Sequence, residues 1–341
     1  MRRALITGIT GQDGSFMADL LLEKGYEVHG LVRRSSLPNH ERIAHLVGSD
    51  PSKIIFLHCG DLLDQTSLER AVYESQPHEV YHLAAQSFVG VSWSQPMLTV
   101  EVTGLGTLRM LEAIRLHAPE ARFYQASSSE MFGNAPTPLQ HEGTPFRPCS
   151  PYGAAKVLAH NVAVNYRESY GMYICCGILY NHESERRGSE FVTRKISIQV
   201  AECYHGLRDQ VELGNMMARR DWGHAKDYME AAWLMLQQDG PDDYVIATGE
   251  THSVADFLSN ALRVAGLSER TVVIDPSMIR PAELRYLRGD ASKARTRLGW
   301  VPNTGFGELV RRMVEHDLHE VGKRGDHERD QALVGRADVP A

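Results

Sequence analysis

The chain has 341 residues, 43% apolar and 23% charged, enough to bury a full core as one large or two interleaved domains. A formal charge of −7 argues against a nucleic-acid binder, and no apolar run is long enough to span a bilayer. Five cysteines and sixteen histidines fall at no metal-ligand spacing, so no metal is expected.

Met1-Arg2-Arg3 leads straight into a strand-like run without the long apolar stretch of a signal peptide, which predicts a cytoplasmic protein. Ala4–Thr7 reads as a strand and Ser15–Lys24 as a helix, with Phe16, Met17, Leu20 and Leu21 spaced for one face. Val28–Val32 and Ile54–His58 follow as strands, Leu68–Ser75 as a helix and Val80–Ala84 as a strand. Leu105, Leu108, Leu111 and Ile114 place an apolar stripe on a helix ending near His117. Arg122–Ala126 is a strand, Tyr152–Tyr170 a helix and Tyr173–Leu179 a strand. This alternation implies a parallel sheet covered on both faces.

Beyond Asn181 the pattern turns irregular, with helices expected at Val192–His205, His224–Gln238, Val254–Ala265 and Phe306–Val321. That portion does not simply extend the first sheet. The fold class is therefore α/β: a Rossmann-like doubly wound parallel sheet with a smaller mixed α/β substrate-binding lobe. Residues 1–180 form the nucleotide-binding domain and 181–321 mainly the lobe, with room for segments that return to the first domain. Residues 322–341, rich in charge, Gly and Asp, are expected to fray.

After the first strand comes Gly8-Ile9-Thr10-Gly11-Gln12-Asp13-Gly14, which opens the next helix. Glycines there let backbone turn tightly and approach a pyrophosphate, whose charge sits well at a helix N-terminus. The second strand ends in Val32-Arg33-Arg34-Ser35-Ser36, where an NAD site would carry Asp or Glu for the ribose hydroxyls. Adjacent arginines at that place, Arg33 and Arg34, can pair with a 2′-phosphate, so the cofactor expected is NADP. Asp61 and Leu62 suit an adenine-contacting loop. Leu83, Ala84, Ala85 and Ser87 supply mostly small side chains where backbone passes close to the cofactor.

Tyr152 and Lys156 leave one face of a predicted helix, i to i+4, and an ammonium beside a phenol favours phenolate. That makes a usable proton acceptor near neutral pH. Upstream, Ser127-Ser128-Ser129-Glu130 ends a strand, where the Ser128 hydroxyl can help hold a substrate alcohol.

These motifs resemble the extended short-chain dehydrogenase/reductase family and, within it, the GDP-mannose 4,6-dehydratases. The resemblance runs from Ala4 to about Leu318, through Ser129–Gly133, Tyr166–Tyr173 and Asn181–Ser184, and is most telling in Phe191–Ile196 and Leu213–Asn215, with Arg220–Tyr228 beside them. It implies a redox-neutral dehydration of GDP-mannose: Tyr152 deprotonates the C4 hydroxyl, the cofactor takes the C4 hydride, Glu130 removes the C5 proton, water leaves from C6 and the hydride returns there. It assigns His182 and Arg187 to the cofactor, which Tyr152 and Lys156 also meet. To the nucleotide sugar it assigns Ser87, Glu130, Asn181, Lys195, Leu213, Gly214, Asn215, Arg220, Arg280 and Glu283. Ser128 stands where dehydratases of this kind often carry Thr, so the hydroxyl is kept and a methyl lost. The resemblance also implies a homotetramer in which the loop Arg34–Arg42 meets a neighbouring chain. Another nucleotide-sugar dehydratase, a 4-epimerase, a 4-keto reductase and an NADP-binding sensor are the competing readings.

Overall fold

The strand–helix alternation closes into one seven-stranded sheet in the computed structural model, which describes residues 1–37, 39–47, 55–268, 272–275, 284 and 286–337, with side chains through 323. Its strands are β1 (Arg3–Thr7), β2 (Glu27–Val32), β3 (Ile55–Cys59), β4 (Glu79–His82), β5 (Arg122–Ser128), β6 (Ile174–Leu179) and β7 (Asp243–Ile246). They pair in the order β7-β6-β5-β4-β1-β2-β3, every neighbouring pair parallel. The chain leaves β1 towards one edge and returns to add β4 on the other side. The crevice outside the carboxyl ends of β1 and β4 is thus the switch point where such sheets bind ligands.

Side chains alternate across the sheet. Ala4, Ile6, Tyr81 and Tyr124 face a core shared with helices Gln12–Glu23 and Ala225–Met235. Leu5, Val80 and Phe123 face the other, shared with helices Gln65–Ser75, Gly106–His117 and Pro151–Tyr170. A third core joins helices Val192–Tyr204 and Val254–Ala265 to the first turns of Phe306–Ala337 around Trp222. That lobe also holds short strand pairs, Val211–Leu213 with Val272–Ile274 and Arg219–Arg220 with His252–Ser253.

Several elements differ from the sequence expectation, each for a physical reason. The first helix begins at Gln12, three residues early, because the glycine turn is itself its first turn. The fourth strand stops at His82, two residues short: the Thr7 hydroxyl oxygen accepts from Leu83 N and Ala84 N, both at 3.1 Å, and peels the chain off the sheet. The irregular second half does extend the sheet, through β7, a run of four residues that strand alternation cannot flag. The final helix continues through Ala337, past the point where fraying was expected. Among the described residues no helix is long and apolar enough to cross a membrane.

Two glycines fix the first turn. Gly8 has φ +72°, and a Cβ there would stand 3.0 Å from the Ala84 backbone. A Cβ on Gly14 would stand 2.2 Å from the Gly8 carbonyl oxygen, backbone that cannot step aside. Gly14→Ala should therefore destabilise the fold by about 2 kcal/mol or more. Gly25→Ala, left-handed but facing open space, should cost only about 1 kcal/mol. Chemical denaturation of the two variants checks the ranking.

Candidate active site

A cavity of about 880 Å³ opens at the switch point, between the carboxyl ends of the strands and the smaller lobe. The first glycine turn lines it from Gly8 through Thr10, Gly11, Gln12, Asp13 and Gly14. The helix behind that turn begins at Gln12 after Gly11, which provides no side-chain cap, so its first N–H groups are left for a ligand. Arg33, Asp61 and Leu62 line the cavity beyond β2 and β3, and Leu83, Ala84, Ala85 and Ser87 line it beyond β4. Arg33 is exposed at the rim, whereas Arg34 does not reach the cavity. The turn whose Cβ positions are already filled by backbone and the uncapped helix start fit a dinucleotide cofactor.

His182 and Asp13 join the two sides. His182 Nε2 lies 2.8 Å from Asp13 Oδ2 and Nδ1 lies 2.7 Å from the Tyr180 carbonyl, so both ring nitrogens face acceptors. Gln12 reinforces the seam by donating to the His182 carbonyl and accepting from the Ser184 hydroxyl. Burial pushes the Asp13 carboxyl up, but the charge and hydrogen bond of His182, with Gln12 and Arg187, hold it down at about 2. Burial alone would lower His182; Asp13 outweighs it and the imidazole rises above its ordinary value.

β5 ends in Ser128, whose hydroxyl oxygen accepts from Glu130 N at 3.2 Å. Helix Pro151–Tyr170 starts on a Ser150 cap with Pro151 in its first turn, and a Cβ on Gly153 would stand 2.8 Å from the Glu130 carbonyl oxygen. Glycine at that position therefore lets Tyr152 and Lys156 sit against the Ser128–Glu130 turn, and all four line the cavity. Lys156 Nζ is buried, donates to the Ala126 carbonyl at 2.7 Å and lies 5.8 Å from the Tyr152 ring centre; burial lowers it to about 8. The phenol departs from expectation. Burial raises Tyr152, helped by the Glu130 and Asp13 charges, against the Ser128 hydrogen bond and the Arg187 charge. Desolvation outweighs the cations at this depth.

Asn181, Lys195, Leu213, Gly214, Asn215 and Arg220 line the lobe side of the same cavity, with Arg187 between the two groups. Arg220 is buried, and its Nη1 donates to the carbonyls of Arg219 and Leu284. Arg280 and Glu283 lie outside the described residues. Glu183, Phe88, Phe191 and Trp222 also line the cavity and drew no sequence assignment. Glu183 sits inside a segment already singled out, but the aromatic rings carry no chemical signature that separates wall from core. Among the described residues no cluster of three or more His, Cys, Asp or Glu could hold a metal.

A family model described as GDP-mannose 4,6 dehydratase matches residues 5–313. The GDP-mannose 4,6 dehydratase 1 of Arabidopsis thaliana is 53% identical over 330 residues, covering 94% of this chain and 91% of that protein. The human GDP-mannose 4,6 dehydratase is 49% identical over 338 residues, covering 92% and 91%. Among solved structures, a dTDP-glucose 4,6-dehydratase from Streptomyces venezuelae with NAD bound superposes with a TM-score of 0.82 at 25% identity, covering 94% of this chain and 98% of that one.

The Asp13–His182 pair has a defined pH signature. Asp13 is depressed from 3.8, so its stabilisation is present above that value and is lost as pH falls towards 2. His182 is raised above 6.5, so its share is whole below 6.5 and is lost as pH rises through the raised midpoint. Asp13→Asn removes the opposing anion and leaves burial and the Arg187 charge opposed only by the Tyr180 carbonyl. The His182 midpoint, followed by NMR of the imidazole, should then fall below 6.5.

Proposed function

The chain belongs to the GDP-mannose 4,6 dehydratase family and dehydrates GDP-mannose, and we propose that the cavity at the switch point is where it does so, with NADP as its nicotinamide cofactor. The observation that carries this reading is the convergence of Ser128, Glu130, Tyr152 and Lys156 with the glycine turn and Lys195 on one cavity. A binding module has no need of all four catalytic groups, and an epimerase or simple reductase has no need of a carboxylate at Glu130.

When bound, the nicotinamide supplies a hydride acceptor for C4 of the mannosyl ring and gives the same hydride back at C6. The residues of the chain handle the protons. Tyr152 accepts the proton of the C4 hydroxyl, which Ser128 helps to hold, so the alcohol becomes a ketone as its hydride departs. Ser128 and Arg187 favour the phenolate against burial, and Lys156 adds a cation beside the ring. The new 4-keto group acidifies C5, and Glu130 takes that proton. Protonated, Glu130 passes it to the C6 hydroxyl, which leaves as water. C5 regains a proton while C6 gains the hydride, so one proton leaves O4 and one returns to C5. The product is GDP-4-keto-6-deoxy-mannose with no net change in the cofactor.

Gly8, Gly11 and Gly14, whose Cβ positions face the backbone of the turn and of Ala84, let the turn close at the helix start where the cofactor diphosphate binds, and Arg33 meets the 2′-phosphate. Lys195 and Arg220 hold the substrate diphosphate from the lobe. The assembly this reading carries is a homotetramer built around the loop 34–42, in which Leu37 is 80% exposed.

GDP-mannose deuterated at C4 should yield product with deuterium in the C6 methyl and no accumulation of NADPH, by mass spectrometry and absorbance. Tyr152→Phe should lower turnover by about a hundredfold or more. Glu130→Gln should keep C4 oxidation while water loss collapses. Deuterium lost to solvent would sink the mechanism. Arg33→Ala should weaken NADP by about tenfold or more, the scale of one charge-assisted hydrogen bond, and leave NAD little changed. Light scattering that finds a monomer at micromolar concentration would remove the tetramer.

A further inference from the structure

Residues 183–195 form one wall of the cavity and give it Arg187, Phe191 and Lys195. The segment is irregular until helix Val192–Tyr204 begins, so side-chain contacts must fix it. On its inner side, Glu183 accepts from the Thr193 hydroxyl at 2.6 Å and lies 3.0 Å from Arg187 Nε. The Arg187 guanidinium stacks on the Phe191 ring at 3.5 Å.

Its outer side is held by the helix that begins at Phe306. Glu185 meets Arg312 at 3.0 Å and His224 at 3.3 Å. Arg194 donates to the Glu185 carbonyl and, at 2.6 Å, to Asp317 Oδ1; Ser197 donates to Asp317 Oδ2, also at 2.6 Å. Asp317 is 1% exposed and Arg194 13% by side chain, so both charges are buried together. Asp317 lies outside the cavity wall and has no part in the chemistry.

Arg194 and Lys195 are adjacent cations on a helix, where successive side chains diverge by about 100°. Fixing the direction of one fixes the other. Asp317 draws Arg194 to the outer side, and Lys195 is the member that faces the cavity. We propose that Asp317 is a positioning residue for the reaction: through Arg194 and Ser197 it sets the rotation of the first turn of this helix, and so the placing of Lys195 against the bound sugar nucleotide. This rests on the reading of Lys195 as a ligand of the substrate diphosphate.

Two variants of the full chain separate positioning from plain stabilisation. Asp317→Asn removes the charge and leaves Arg194 buried without its anion, which lowers stability. The double variant Arg194→Met with Asp317→Leu replaces the pair by apolar side chains, which restores stability when a buried ion pair is removed whole. If Asp317 positions Lys195, KM for GDP-mannose rises about five- to tenfold in both variants, the range seen for changes that touch no ligand, while kcat and NADP affinity stay near the parent. The thermal midpoint recovers in the double variant and KM does not. A KM that returns to the parent value with the midpoint, or parent KM in either folded variant, overturns the inference. So does a fall in kcat or NADP affinity with KM unmoved. A parent protein that fails to dehydrate GDP-mannose overturns the underlying reading instead, so the two failures are distinguishable.

Discussion

A carboxylate buried at the start of a helix keeps its charge only if a partner answers the loss of water. Asp13 has that partner in His182, which comes from a segment about 170 residues away and whose other nitrogen is held by the Tyr180 carbonyl. The pair therefore does more than stabilise a local turn. It fastens the cofactor turn after β1 to the segment after β6, with Gln12 and Ser184 adding neutral bonds along the same seam. Asn181, Glu183 and Arg187 take their places from that segment, and the wall 183–195 continues from it. Two walls of the cavity meet across one ion pair.

Tyr152 and Lys156, the candidate proton-handling groups, sit in an electrostatic conflict that the same burial creates. Lys156 is depressed by burial and Tyr152 raised by it, the reverse of what proton abstraction needs from either. Asp13 acts on both, supporting the ammonium of Lys156 while opposing the phenolate of Tyr152. Arg187 and Ser128 act in the opposite sense on the phenol. Burial shifts both groups, and Asp13, Ser128 and Arg187, set on three different segments, act on them in return. Arg187 is held for that task by Glu183 and Phe191, neither of which bears on the protons directly.

Much of this was legible in the chain. The glycine turn, the rim arginine and the Tyr152–Lys156 spacing are local patterns whose chemistry follows from residue type and helical or strand geometry. So are the strands β1 to β6, which alternate with helical stretches in one phase. β7 was not, because four residues between a turn and a loop have no period; they become a strand by pairing with β6. The end of β4 was misplaced for a related reason. A hydroxyl on a neighbouring strand, Thr7, captures two amides that would otherwise continue the ladder.

What the sequence determined by itself, then, is the order of most elements, the glycine turn and the candidate reacting groups, since each rests on patterns within a few residues. The tertiary structure decided which charges face one another: His182 on Asp13, Glu183 on Arg187, Asp317 on Arg194. It also decided the sign of the shift at Tyr152, where depth of burial outweighs a neighbouring cation. Desolvation depends on everything that surrounds a group, and no local run of residues carries that information.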